Sequence, residues 1–230
     1  MIVNLKDTLS ELRRLGSDGT RQIYLRHGAS EPLFGVKFGD LAGLKKRIGV
    51  DHELASLLWK TGNSDAQTLA LMVIDPNQLK SKEIDDWMRG LDYDLLVGML
   101  AGVVAKTRFA ITKWTKWSRA KSESSLVAAY SLVAHWLKQS PDDVPDTVIE
   151  EALKRIADGI HDSPNRARHA MNNALIAIGV FSERHRGSAI RVAEQVGKVT
   201  VDHGQTGCKT PDAVKYIAKS VAHYRKRGRC

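Results

Sequence analysis

Only two cysteines occur in the 230 residues, Cys208 and Cys230. Their number and spacing set up neither a disulfide framework nor the ligand spacing of a zinc site. A reducing, cytoplasmic setting is the default that follows, and no metal or other cofactor is expected. No apolar run approaches the roughly 18–20 residues that a membrane span needs; the longest, Leu95 to Ala105, suits a buried helix. The N-terminal MIVNLKDTLSELRR meets charge at once and has no apolar signal core. Alternating strand patterns are also missing, Lys198–Val201 being the one brief candidate. With 43% apolar and 27% charged residues the composition is that of a globular chain, not a disordered one.

What the sequence has in excess is positive charge. Lys and Arg number 35 against 26 Asp and Glu, a formal net charge of +9. Such an excess favours an anionic partner: nucleic acid, an acidic protein or a phosphorylated ligand. The plainer reading is a solvated charged surface.

The hydrophobic periodicity is helical throughout. Leu9, Leu12, Ile23 and Leu25 sit in a first helix pair. Leu41, Leu44 and Ile48 recur at i, i+3, i+7, and Leu54, Leu57 and Leu58 at i, i+3, i+4. Further helices are predicted over 66–74, 95–104, 126–137, 148–160, 170–178, 190–196 and 213–221, with a short one closing at Trp87 and Met88. Asp51 reads as an N-cap with Gly49 just past the previous helix. Asp75-Pro76, Ser163-Pro164 and Thr210-Pro211 each put a capping oxygen before a proline at the first helical position. Gly62, Gly90 and Gly179 fall where helices are expected to end. About a dozen helices of ~8–16 residues with short links give antiparallel pairs of roughly 35–45 residues. One pair cannot bury its apolar face alone, so the expectation is a single all-α domain over 1–230, an α-solenoid of HEAT-like antiparallel helix pairs. The segment 224–230, with Arg225, Lys226, Arg227 and Arg229, is expected to be a frayed basic tail.

Specific stretches carry a resemblance. Phe34-Gly35-Val36-Lys37-Phe38-Gly39-Asp40-Leu41, Asp51-His52-Glu53-Leu54-Ala55, Leu58-Trp59 and Ala70-Leu71-Met72-Val73-Ile74-Asp75-Pro76 together resemble the N-terminal half of the AlkD-like DNA alkylation repair family. The resemblance implies a curved stack whose concave basic face cradles duplex DNA, and, in active members, glycosylases that release cationic N-alkylpurines without flipping the base into a pocket. It also implies an aspartate on a mid-chain helix, aided by an arginine and two tryptophans. A carboxylate there stabilises the oxocarbenium-like charge, and aromatic faces hold the cationic nucleotide. In this chain Tyr93 takes the place of the first tryptophan and Val97 that of the aspartate. The arginine position falls near Leu126 or Val127, the second tryptophan near Asn173, and Tyr24 keeps an N-terminal tyrosine. Asp94 substitutes for the aspartate only if the register is off by about one helical turn. The motifs Ser163–Ala174 and Val201–Asp212 look like a distinct branch of the same superfamily.

Three groups of residues then carry candidate chemistry. Arg166, His169 and Asn173 share a helix face near Arg168 and Asn172, where cations at a helix N-terminus suit a phosphate; inter-repeat hydrogen bonding is the alternative. Lys113, Trp114, Lys116 and Trp117, with Arg119 and Lys121, interleave aromatics and cations as a DNA-contacting stripe does; core tryptophans with solvated lysines are the alternative. Lys45-Lys46-Arg47 reads as a helix surface. In the loop Asp202–Lys209, Asp202 and His203 are candidate acid or base groups, Cys208 a candidate nucleophile and Lys209 a phosphate contact. Against that stands a loop in which Asp202 and Thr210 staple a turn. The leading reading is a monomer that binds duplex DNA in the context of alkylation damage, with base excision left open. The alternatives are a protein–protein scaffold and an enzyme that gathers His203, Cys208 and Asn173 in one pocket.

Overall fold

The structure, a computed structural model, describes residues 4–226; Arg227, Arg229 and Cys230 of the expected tail lie outside the described residues. Thirteen α-helices form among these residues, and no strand, so Lys198–Val201 is irregular. The described contacts fall into two compact units, the first ending at Val103 and the second beginning at Val104.

The first unit holds α1 (Leu5–Leu15), α2 (Asp18–Arg26), α3 (Phe38–Ile48), α4 (His52–Lys60), α5 (Ser64–Val73), α6 (Ser81–Met88) and nearly all of α7 (Asp94–Val104). Its helix starts obey local chemistry. Asn4, Ser17, Asp51 and Asn63 each accept a backbone N–H of the following first turn. The expected face of α4 divides: Leu54 and Leu58 are buried, whereas Leu57 is exposed. α5 packs on α3 and α4, and Leu12, Leu41, Leu44, Leu58, Leu69 and Ile84 fill the core.

The second unit holds α8 (Ala110–Trp117), α9 (Glu123–Gln139), α10 (Asp146–Gly159), α11 (Asn165–Phe181), α12 (Arg186–Val196) and α13 (Ala213–Lys226). One layer runs α9, α11, α13, and α10 and α12 pack as a second. Thus Tyr224, Arg225 and Lys226 are helical where fraying is expected, and Tyr224 packs on Phe181 with ring centroids 5.4 Å apart.

Two local expectations are corrected. The proline motifs do not start helices in the expected way. Pro76 lies in a turn in which Asp75 accepts from the Asn77 N–H. Pro164 is itself the N-cap of α11, while the Ser163 hydroxyl donates back to the Gly159 carbonyl. Pro211 precedes Asp212, whose carboxylate accepts from Lys215 N at the start of α13. Asp75 thus caps a turn and not a helix, while the first turn of α11 takes an acceptor from Glu123 of α9 and that of α13 from Asp212. Gly179 does not end a helix but lies inside α11, because a Cβ there would meet Ile217 Cδ1 of α13 at 2.5 Å. Glycine at this position lets the two helices approach.

Candidate nucleic-acid interface

In the first unit a buried carboxylate fixes the loop to which Tyr24 is bonded. Asp65, in the first turn of α5 and 2% exposed, accepts from the backbone N–H groups of Phe34 (2.6 Å), Gly35 (3.0 Å) and Val36 (2.9 Å). Its neighbour Ser64 donates its N–H to the Pro32 carbonyl and its hydroxyl to that of Ser30. Gly35 has φ +78°, and a Cβ on it would collide with the Arg21 nitrogen and Ser17 carbonyl of α2. Tyr24 donates its hydroxyl to the Val36 carbonyl at 2.9 Å, and burial, then the charges of Asp65 and Asp40, raise its pKa. Tyr93 is buried, and desolvation, helped by Tyr24, Asp65 and Asp94, pushes it up to about 12. Both phenols therefore stay neutral at physiological pH, and Tyr24 is committed to holding the loop. Asp65 was not singled out from the sequence, because its partners lie 29–31 residues away.

The position assigned to the catalytic aspartate is closed. Val97 is 0% exposed, packed inside the first unit. Asp94, the first residue of α7, is half-buried and adjoins the Tyr93 phenol closely enough to raise its pKa.

In the second unit the aromatic stripe becomes core. Trp114 and Trp117 are 1% and 2% exposed, and Lys113 is 1% exposed. Trp114 meets Tyr130 edge-on at 5.6 Å and donates its indole N–H to Glu151 at 3.3 Å. Glu151 also takes the Arg155 guanidinium, which leads in lowering its pKa. The two tryptophans and Lys113 therefore offer no ring face or ammonium to a ligand in solution, and only Lys116 of the four is exposed.

The α11 face also serves packing. Glu123 of α9 accepts from both the Arg166 backbone N–H (2.7 Å) and its guanidinium Nε (2.8 Å), so one carboxylate caps α11 and pairs with the cation expected to hold a phosphate. Arg168 donates to the Thr200 carbonyl at 3.0 Å, and the buried Asn172 to that of Pro211 at 3.0 Å. Asn173 is exposed. The late loop is stapled as its turn chemistry suggests. Asn165 and the Asp202 backbone exchange two hydrogen bonds, Asp202 accepts from Gly204 N, and His203 Nε2 lies 2.9 Å from the Thr210 hydroxyl. Asp202 and His203 are thus occupied in the turn. Cys208 is exposed and hydrogen-bonds through its backbone N–H to Thr206.

These staples create an edge. The Glu123–Arg166 pair puts the N-termini of α9 and α11 side by side, and the Asn165–Asp202 and Arg168–Thr200 bonds fasten the late loop beside them. Lys121, just before α9, and Lys198 and Lys209, in the loop, are exposed and have no ion-pair partner among the described residues. The wider charge is equally uneven. Residues 1–103 hold 13 Lys and Arg against 14 Asp and Glu, and residues 104–230 hold 22 against 12. The entire basic excess belongs to the second unit.

Two histidines of this unit give a pH expectation. Burial, then Lys138 and Lys106, lower the pKa of His135; burial, then His203, lower that of His169, whose ring meets His203 edge-on at 5.1 Å. The folded chain keeps both neutral, whereas the unfolded chain binds protons near pH 6.5. Stability is therefore complete above about pH 6.5 and falls as the pH drops below it toward the folded pKa values. Urea midpoints measured across this range are expected to decline on acidification, and the double variant His135→Gln/His169→Gln to flatten the decline. An unchanged slope in that variant would assign the acid sensitivity elsewhere.

A basic, all-helical chain of paired helices defines a class, and comparison with known proteins identifies it. Residues 8–217 match the DNA alkylation repair enzyme family, and the chain belongs to that family. It is 30% identical over 217 residues to the uncharacterized protein Lin0241 of Listeria innocua, covering 92% of this chain and 94% of the other. It is 29% identical over the same length to the uncharacterized protein Lmo0209 of Listeria monocytogenes, with the same coverage. A solved structure superposes with a TM-score of 0.87 at 29% identity, over 99% of this chain and 96% of that one. It comes from a family of proteins related to the HEAT-like repeat DNA glycosylases with affinity for branched DNA structures. The HEAT-like repeat fold expected from the helix pairs is thus the fold of this chain.

Proposed function

We propose that this chain binds DNA through the lysines along the α9–α11 edge of its second unit, prefers branched over linear DNA, and does not excise alkylpurines. The observation that carries the reading is the confinement of the basic excess to residues 104–230. A solved relative with affinity for branched DNA supports the preference. A junction brings phosphates from several strands within reach of one surface, so more of the lysines meet a phosphate and more counterions are released in all than on a single duplex. The buried Val97 supports the absence of excision, since no side-chain charge stands there to stabilise a cationic sugar.

The test pairs two assays on one preparation. Binding to a four-way junction and to a linear duplex of equal nucleotide count is measured across a salt series. Release of 7-methylguanine and 3-methyladenine is measured from alkylated DNA. Tighter junction binding that weakens with salt, with no base release above background, is the expected result. Equal affinity for both DNAs would remove the branched preference, absence of binding to either would leave a protein scaffold as the better reading, and base release would overturn the non-catalytic reading. In the last case Asp94→Asn shows whether that carboxylate is responsible.

A further inference from the structure

The first unit carries no basic excess, yet it contains a cleft whose walls suit a nucleotide. The cleft, about 580 Å³, lies between α4, α6 and the turn that joins α5 to α6. That volume is within the range of small-molecule sites. Trp59 and Trp87 stack on each other here with centroids 4.3 Å apart and planes 10° from parallel. They are 8% and 7% exposed, and both residues line the cleft. Lys60 and Lys80 stand on its rim, exposed and without a carboxylate partner among the described residues. Lys82 is different: it is paired with Asp86 at 2.7 Å, so it adds little net charge. His52 also lines the cleft, and its Nδ1 is buried without a hydrogen-bond partner. A buried polar atom left unpaired is uncommon in a folded protein and is satisfied when a ligand supplies the partner.

We infer that this cleft is a binding site for a nucleotide unit, its phosphate taken by Lys60 and Lys80 and its base set against the Trp59–Trp87 pair. Each feature answers to a different part of the ligand. Two free ammonium groups at the mouth select an anion. An aromatic wall selects a π-face and accepts any base, as stacking platforms for single-stranded nucleic acid do. Glu83 and the paired Asp86, also in the wall, discourage a ligand that is anionic along its whole length, such as an acidic peptide. The inference deepens the DNA-binding reading by adding a seat for one exposed nucleotide, and its test does not require the second unit to bind DNA.

The full-length protein, labelled with nitrogen-15 at its indole groups, is titrated with 2′-deoxyadenosine 5′-monophosphate and watched by NMR. Deoxyadenosine, inorganic phosphate and an oligoglutamate peptide are titrated separately, and a short single-stranded oligonucleotide distinguishes a strand from a free nucleotide as the source. The expected result is saturable movement of the Trp59 and Trp87 signals with the monophosphate, while those of the buried Trp114, Trp117 and Trp136 stay in place. Deoxyadenosine and phosphate alone are each expected to bind about tenfold more weakly, and Lys60→Ala/Lys80→Ala to weaken the monophosphate by about tenfold or more. Both lysines are exposed, so this variant keeps the fold, which an unchanged spectrum in the absence of ligand verifies. No saturable shift, the same affinity in the double variant, or tighter binding of the peptide would each overturn the inference. Nucleotide binding with no DNA binding by the intact chain would leave it standing while removing the second-unit reading.

Discussion

The triple variant Lys121→Glu/Lys198→Glu/Lys209→Glu is expected to bind DNA at least about 100-fold more weakly than the parent at low salt, with a smaller salt dependence. These lysines flank the paired N-termini of α9 and α11 and have no carboxylate partners among the described residues, so their charge is available to phosphates. Each lost phosphate contact lowers the slope of log K against log salt by about 0.9, and each introduced carboxylate adds repulsion. The fitting control is Lys45→Glu/Lys46→Glu on α3. That change also reverses exposed charge, but within the unit that has no basic excess. It is expected to alter affinity less than about threefold, since an exposed charge outside the contact surface acts only through a screened field. Gel-shift or anisotropy titrations at several salt concentrations decide the matter. Equal losses in the two variants would mean that DNA responds to overall charge and that the α9–α11 edge is no interface.

How far the sequence could lead depends on the range of the interaction involved. Amphipathic periodicity and capping are local, so α3, α4 and the Asp51 cap were legible, and so was the all-helical architecture. The same local logic explains the loop at Asp202, where an Asx turn to Gly204 needs only neighbouring residues. It failed where the decisive partner lies far along the chain. Trp114 and Trp117 share a helix face in either reading, and only the arrival of Tyr130 and Glu151 makes that face interior. Arg166 looks like a free cation at a helix N-terminus until Glu123, 43 residues earlier, takes it. Gly179 resembles a helix stop until Ile217 shows why a side chain is barred. The resemblance to a DNA alkylation repair family was specific enough to be carried by short motifs. The uneven division of charge, by contrast, becomes visible only when the boundary at Val103 is known.

Asp65→Ala is expected to be the most damaging single substitution in the first unit, lowering unfolding free energy by about 3–5 kcal/mol. The loss has a definite origin. Three backbone N–H groups, those of Phe34, Gly35 and Val36, converge on one carboxylate that is 2% exposed. Alanine leaves all three without their acceptor in a region that water does not reach, and a hydrogen bond to a charged group contributes about 1.5–3 kcal/mol. The position at the start of α5 adds a favourable interaction between the carboxylate and the helix dipole. Asp65→Asn keeps the volume and one acceptor oxygen, so it is expected to cost less than alanine, though a terminal amide facing N–H donors remains unfavourable. Tyr24→Phe removes only the hydroxyl that donates to Val36 and is expected to cost about 1 kcal/mol. Urea denaturation of the three variants orders them. Should Asp65→Ala prove no worse than Tyr24→Phe, the carboxylate is not what fixes the loop. If the order holds, the tyrosine kept from the family pattern owes its place to a scaffold that Asp65 maintains, and its hydroxyl serves the fold.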